Sequence, residues 1–200
     1  MSVPAVYYTP DASAADISPE QRLIDLLDIY AVPFKQDILA ISKTVLNDPR
    51  FALWSAASKP EQHHYGKGGL AKHTLEVVEL CLLNNEMYNR PLNTTPLVLA
   101  AVFHDIGKLW DYAPVGTEYQ HWQATPHKTQ THHISRSALV WMEAVTSTDL
   151  FHDIKDEVLH VILAHHGRRE WGSPVLPETR TAWLLHLCDH ISAKMYLSPG

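Results

Sequence analysis

Apolar residues recur at helical spacing almost throughout this chain, and the pattern predicts an all-α protein. Ser18-Pro19-Glu20-Gln21 reads as an N-cap, a proline at the first helical position and a capping-box glutamine. The helix it opens carries Leu23, Ile24, Leu26, Leu27 and Tyr30 and is interrupted at Pro33. Phe34, Ile38, Ile41, Val45 and Leu46 predict a second helix over 34–47, and a short segment with Phe51, Leu53 and Trp54 follows Pro49. Further helices are predicted over 70–86, 96–106, 131–145, 153–165 and 178–196. The 96–106 stretch is apolar on nearly every side, which is the character of a central helix, and Gly107 is placed to terminate it.

Residues 111–130 are polar and aromatic, with scattered glycine and proline and no convincing period. They are expected to form a long loop beside the site, because structureless loops of more than about 12–15 residues are uncommon without a functional reason. Nothing in the chain alternates as a half-buried strand does, so no strands are expected. Residues 1–17, rich in Ala, Ser, Pro and Asp, are expected to be a flexible arm. Residues 18–200 read as a single domain whose motif-bearing core is 60–196.

Composition changes this picture in one respect. A formal net charge of −6 argues against a chain that grips long nucleic acid by charge alone, although bound cations can invert the potential of a pocket. Cys81 and Cys188 fall inside apolar helical patterns and read as buried reduced thiols. No stretch approaches the roughly 18 apolar residues of a membrane span, and no signal-peptide pattern opens the chain, so a cytoplasmic protein with no membrane partner is expected. The 14 histidines are the unusual number. They are dispersed, and several lie in otherwise apolar helices, where an unpaired polar ring is costly.

His104-Asp105 ends the most hydrophobic helix, where a carboxylate needs a charge partner or a cation. A structural aspartate bonded to backbone or to a histidine is the plain alternative. Imidazole and carboxylate together suit a transition metal. His73, one helical turn before Val77, and Asp189, on a stripe with Ala182, Leu185 and Ala193, extend the pair across three predicted helices. Such a cross-helix centre is a familiar use of a bundle interior. His132-His133 opens one helix and His165-His166 closes another. His133 is preferred over His132, and both His165 and His166 are taken, as ligands of a second metal that shares Asp105 with the first. Lys108 is the foremost phosphate-binding cation, with Lys67, Arg168 and Arg169 behind it. His63 and His64 are weaker candidates for contact with substrate, and His186 or His190 for support of a ligand.

The ordered set Gly68-Gly69-Leu70 leading to His73-Thr74, His104-Asp105-Ile106-Gly107-Lys108, His133, His165-His166-Gly167 and Asp189 resembles the HD-domain phosphohydrolase superfamily. Within it, Gly68 to Thr74, Glu170-Trp171-Gly172-Ser173-Pro174 and Asp189 with Ala193-Lys194-Met195 resemble the HD domain of bacterial 3′-to-5′ exoribonucleases. The family's Gly-His before the second-site histidine is His132-His133 here, and the family's OB domain is not expected in this chain. The resemblance implies an HD-type helical bundle with the metal centre between helices. It implies two divalent transition metals (Mn, Fe, Co, Ni or Zn) and in-line attack on phosphorus by a metal-bound hydroxide. Asp105 and Lys108 would be the catalytic residues, acting on single-stranded nucleic acid or an oligonucleotide as phosphodiesterase or nuclease. The alternatives are a phosphohydrolase of nucleoside mono- or triphosphates and a noncatalytic, metal-stabilised regulatory domain.

Overall fold

The computed structural model describes residues 17–30, 35–88, 91–146, 148–150 and 152–195. The expected N-terminal arm, apart from Ile17, lies outside the described residues, as do Pro33 and Phe34. The helices are α1 (Pro19–Tyr30), α2 (Lys35–Leu46), α3 (Gly69–Glu86), α4 (Thr94–Phe103), α5 (Lys108–Asp111), α6 (His127–Gln130), α7 (His133–Val145), α8 (His152–Ala164) and α9 (Arg180–Met195). No helix among the described residues is long and apolar enough to cross a membrane.

The bundle is organised around α4. Every residue from Thr95 to Phe103 is buried, and the helix packs against α1, α2, α3, α7, α8 and α9. A helix hydrophobic all round has no solvent face to present, so it can only sit in the middle. Asn93 caps it, its side chain accepting the Thr95 N–H at 3.0 Å. α3 and α9 pack together along one side, and α7 and α8 along another. Cys81 of α3 and Cys188 of α9 are free and buried, and burial raises the Cys81 thiol well above its ordinary value.

Four details differ from the sequence pattern. Ser18 caps α1 through its Oγ, but the Gln21 amide donates forward to Asp25 at 2.9 Å, so only half of the capping box forms. Leu83, Leu139 and Met142, which follow the apolar stripes in sequence, are exposed. Gly107 does not terminate α4 in the left-handed conformation; its φ is −61°, and the chain turns through it directly into α5. What requires glycine there is space, because a Cβ would lie 2.1 Å from the His133 carbonyl oxygen.

The fourth difference is the expected loop at 111–130. It holds an antiparallel hairpin, β1 (Tyr112–Val115) with β2 (His121–Ala124), in register Tyr112 to Ala124 and Val115 to His121, followed by α6. Strands of four residues are too short to show a period against aromatic and polar neighbours. The hairpin is held by packing instead. Trp122 is buried edge-on against Trp54 at 5.1 Å between ring centres, and the Trp54 Nε1–H donates to the Tyr112 carbonyl at 2.9 Å.

Candidate metal centre

Five elements deliver one cluster of ligating atoms. His73 comes from α3, and His104 and Asp105 from the turn after α4. His133 opens α7, His165 and His166 follow α8, and Asp189 lies in α9. His73, His104, Asp105 and His165 are at most 1% exposed. His73 Nε2 is 3.1 Å from Asp189 Oδ1, 3.2 Å from Asp105 Oδ2 and 3.4 Å from His104 Nε2, while His104 Nε2 is 3.4 Å from Asp105 Oδ2. Ligands about 2.0–2.2 Å from one ion lie roughly 3.0–3.5 Å from their neighbours. These four residues therefore already surround a metal-sized space.

A second group stands on the other oxygen of the same carboxylate. Asp105 Oδ1 is 3.5 Å from His133 Nε2 and 3.6 Å from His165 Nε2, and His133 Nε2 is 3.3 Å from His166 Nε2. Asp105 Oδ1 and His165 Nε2 are enclosed and have no hydrogen-bond partner. Buried polar atoms are nearly always satisfied, so this pair of orphans, an acceptor beside a ring nitrogen, fits a bound cation.

The far side of each imidazole fixes which nitrogen faces inward. His104 Nδ1–H donates to the Ala101 carbonyl at 2.8 Å, His165 Nδ1–H to the Ile162 carbonyl at 2.7 Å, and His166 Nδ1–H to the Trp171 carbonyl. His133 Nδ1–H donates to Asp111 Oδ2 at 3.0 Å. His73 Nδ1–H donates to Ser192 Oγ at 3.0 Å, and that hydroxyl donates to Glu76 Oε2 at 2.9 Å. Carbonyls and carboxylates only accept, so a proton sits on Nδ1 of each of these rings, which turns Nε2 of His73, His104, His133 and His165 toward Asp105.

The electrostatics follow from burial. Desolvation works against the Asp105 charge, but Lys108 and His104 outweigh it and hold the carboxyl well below its usual range. Burial likewise opposes the charge on Lys108, and Asp105 reverses that, leaving the ammonium raised. Lys108 Nζ lies 2.6 Å from Asp105 Oδ2. Burial lowers His133 to about 4 and His166 to about 2. For His73 burial is again the largest effect, but the bonds to Asp105 and Asp189 overcome it and raise the ring.

The residues singled out in the sequence separate here. His73, His104, Asp105, His133, His165, His166 and Asp189 come together, with Lys108 against them. Lys67, Arg168 and Arg169 are exposed and do not line the cavity above the cluster, which measures about 450 Å³. Arg168 lies over the Trp171 ring at 4.7 Å, and Arg169 donates to the Pro174 carbonyl. The cations on the cavity wall are Lys108, Lys128 and Lys194, beside His63, His132 and Tyr112. His63 Nδ1 meets His64 Nδ1 at 3.2 Å, and burial lowers His63 to about 3. His186 Nδ1–H donates to the His165 carbonyl at 2.8 Å, and Gly167 leaves room for that ring, since a Cβ there would touch it at 2.4 Å. His190 stacks on Trp171.

Sequence reading passed over Asp111, Glu76 and the role of Ser192. Asp111 Oδ1 also accepts the Nδ1–H of His127 at 2.7 Å, and His127 Nε2 accepts from Arg136 Nε at 3.2 Å. A signal was available, because Asp111 is a carboxylate set between Leu109, Trp110 and Tyr112.

The HD-domain family model matches residues 70–194, and the chain belongs to that family; its class is that of metal-dependent phosphohydrolases. Curated relatives match most of this chain. The chain is 30% identical over 184 residues to the 3′-5′ exoribonuclease YhaM of Bacillus subtilis strain 168, and 30% identical over 183 residues to the protein of that name from Bacillus pumilus strain SAFR-032. Each match covers 88% of this chain and 55% of the relative, so the chain spans about half the length of these proteins. No solved structure matches significantly.

Proposed function

We propose that this chain is a phosphodiesterase that cleaves single-stranded nucleic acid or oligonucleotides with two divalent transition metal ions. The observation that carries the reading is the convergence of imidazole Nε2 atoms on both oxygens of Asp105, each ring oriented by an acceptor on its other side. His73, His104, Asp105 and Asp189 would hold one ion, and Asp105, His133, His165 and His166 the other. Mn, Fe, Co, Ni and Zn all suit such a set of imidazoles and carboxylates. Bound in pairs, such ions make water nucleophilic near neutral pH and neutralise phosphate oxygens.

The chain's own contribution is charge and orientation. Lys108, whose Nζ lies 2.6 Å from Asp105 Oδ2, is a cation at the edge of the centre and would offer its charge to a phosphate oxygen once ions hold the carboxylate. Lys128 and Lys194 extend positive charge along the cavity wall, in reach of neighbouring phosphates of a chain. Lys67, Arg168 and Arg169 stand farther out, where they serve a longer strand. The name of the Bacillus relatives supports a nuclease over a nucleotide phosphohydrolase.

The test is elemental analysis of untagged protein, followed by a substrate panel under each of the named metals and Mg. The panel compares bis-p-nitrophenyl phosphate, single-stranded RNA and DNA, cyclic nucleotides, and nucleoside mono- and triphosphates. Cleavage of diesters in preference to monophosphates and triphosphates is expected. Full metal content with no turnover of any substrate would instead identify a metal-stabilised regulatory domain.

A further inference from the structure

Cavities, titratable clusters and strained positions outside the ligand set lead to one residue, His132. Its φ of +69° and ψ of 143° form a backbone combination that L side chains rarely adopt. The main chain is pinned there, His132 N–H donating to the His127 carbonyl at 2.9 Å while its own carbonyl accepts from Arg136 N–H at 3.1 Å. Room for the ring is made by Gly172, where a Cβ would approach His132 Cε1 to 3.1 Å. The imidazole lies on the His133 ring, 4.1 Å between centres, and lines the cavity together with Lys108, Lys128 and His166.

Its Nδ1 is enclosed and has no hydrogen-bond partner. An N–H buried without an acceptor is among the costliest arrangements, and a lone pair is better tolerated. The ring proton is therefore carried on Nε2, which is a donor in either charge state. A strained backbone holding an aromatic donor on the wall of the cavity beside the ligand cluster is out of keeping with a purely structural cap, which any glycine would make without strain.

We infer that His132 is a substrate-contacting residue whose Nε2–H donates to a non-bridging phosphate oxygen of the bound diester. The inference rests on the phosphodiesterase reading above, and it assigns His132 to the substrate and not to either ion.

The test compares wild type with His132→Gly and His132→Asn in the metal-loaded protein. Readouts are thermal stability, metal stoichiometry, calorimetric binding of inorganic phosphate, and KM for bis-p-nitrophenyl phosphate. His132→Gly is expected to melt at or above the wild-type temperature and to keep its metal. It should bind phosphate roughly tenfold more weakly or worse, as loss of a hydrogen bond to a charged group implies. Asparagine tolerates positive φ and keeps an N–H donor, so it should recover part of that affinity. If the glycine variant fails to fold, His132→Asn is set against His132→Asp, which tolerates the backbone but lacks the donor. Equal phosphate affinity in either comparison overturns the inference, and so does loss of a metal equivalent, which would make His132 a ligand. Should the wild type cleave no diester, the functional reading fails while the phosphate titration still judges His132.

Discussion

Asp111 Oδ2 accepts two hydrogen bonds from His133 at once, from the backbone N–H at 3.1 Å and from Nδ1–H at 3.0 Å. One carboxylate thus fixes both the position of the residue at the head of α7 and the rotation of its ring. Replacing Asp111 with alanine should weaken the ion proposed at His133, His165 and His166 by about 10–100-fold while sparing the one proposed at His73, His104 and Asp189. Metal titration followed by the visible spectrum of Co(II) would check this, and equal weakening of both ions would refute it.

The same carboxylate is braced from outside by His127, whose other nitrogen accepts from Arg136. His127→Ala should therefore produce a smaller loss at the same ion, within about tenfold. Combined with Asp111→Ala it should add nothing, because His127 acts on the centre through Asp111. A double-mutant cycle on metal affinity reads this directly.

Lys108 and Asp105 form a buried pair at 2.6 Å. In metal-free protein Asp105→Asn leaves the ammonium buried beside a neutral group and should cost about 3–5 kcal/mol. Lys108→Met on that background should recover much of the loss in urea unfolding. Both Asp105 variants should be devoid of activity, and an Asp105→Ala protein with full metal content and turnover would remove the basis of the two-ion reading.

Proton release separates the two groups. His133 and His166, lowered by burial to about 4 and about 2, are neutral near pH 7, so an ion binding them displaces almost no proton. His73 is raised above its ordinary value: burial pulls it down, but Asp105 and Asp189 overcome that. It stays protonated over a wider range, so an ion at His73 would compete with that proton, and its affinity should fall as pH drops through that raised value. Calorimetry in buffers of different ionisation enthalpy should show the larger buffer-dependent heat for the equivalent that engages His73.

Gly107→Ala would drive a Cβ to 2.1 Å from the His133 carbonyl oxygen. The overpacking should cost about 1–3 kcal/mol, a fall in Tm of roughly 2–12 °C. It should also displace His133 and weaken the ion proposed to bind there. A variant with unchanged Tm and metal content would contradict the close approach.

The helices were largely legible from their apolar period, and the gathering of histidines and aspartates from its violation of a simple rule. A histidine and an aspartate at the end of an all-apolar helix cannot be left unpaired, and α4 is that helix. The hairpin over 111–130 was not legible, since its strands are shorter than the period needed to recognise them and Trp54, far away in sequence, holds Trp122 in place. The cations that line the cavity were only partly legible for a related reason. Arg168, Arg169 and Lys67 stand next to the motifs in sequence, whereas Lys128 lines the cavity from α6, which follows the hairpin. Asp111 and Ser192 act through a neighbour's ring, and a role of that kind leaves no spacing of its own.

The contact of His73 with Asp189 joins α3 to α9 at 3.1 Å, across most of the domain's sequence. An ion seated there binds the folded chain and has no equivalent site in the unfolded one, so each rise in free ion shifts the population toward the folded form. The protein's survival against proteases should then track the divalent metal supply of its surroundings, and starvation for metal would remove the protein itself along with its turnover.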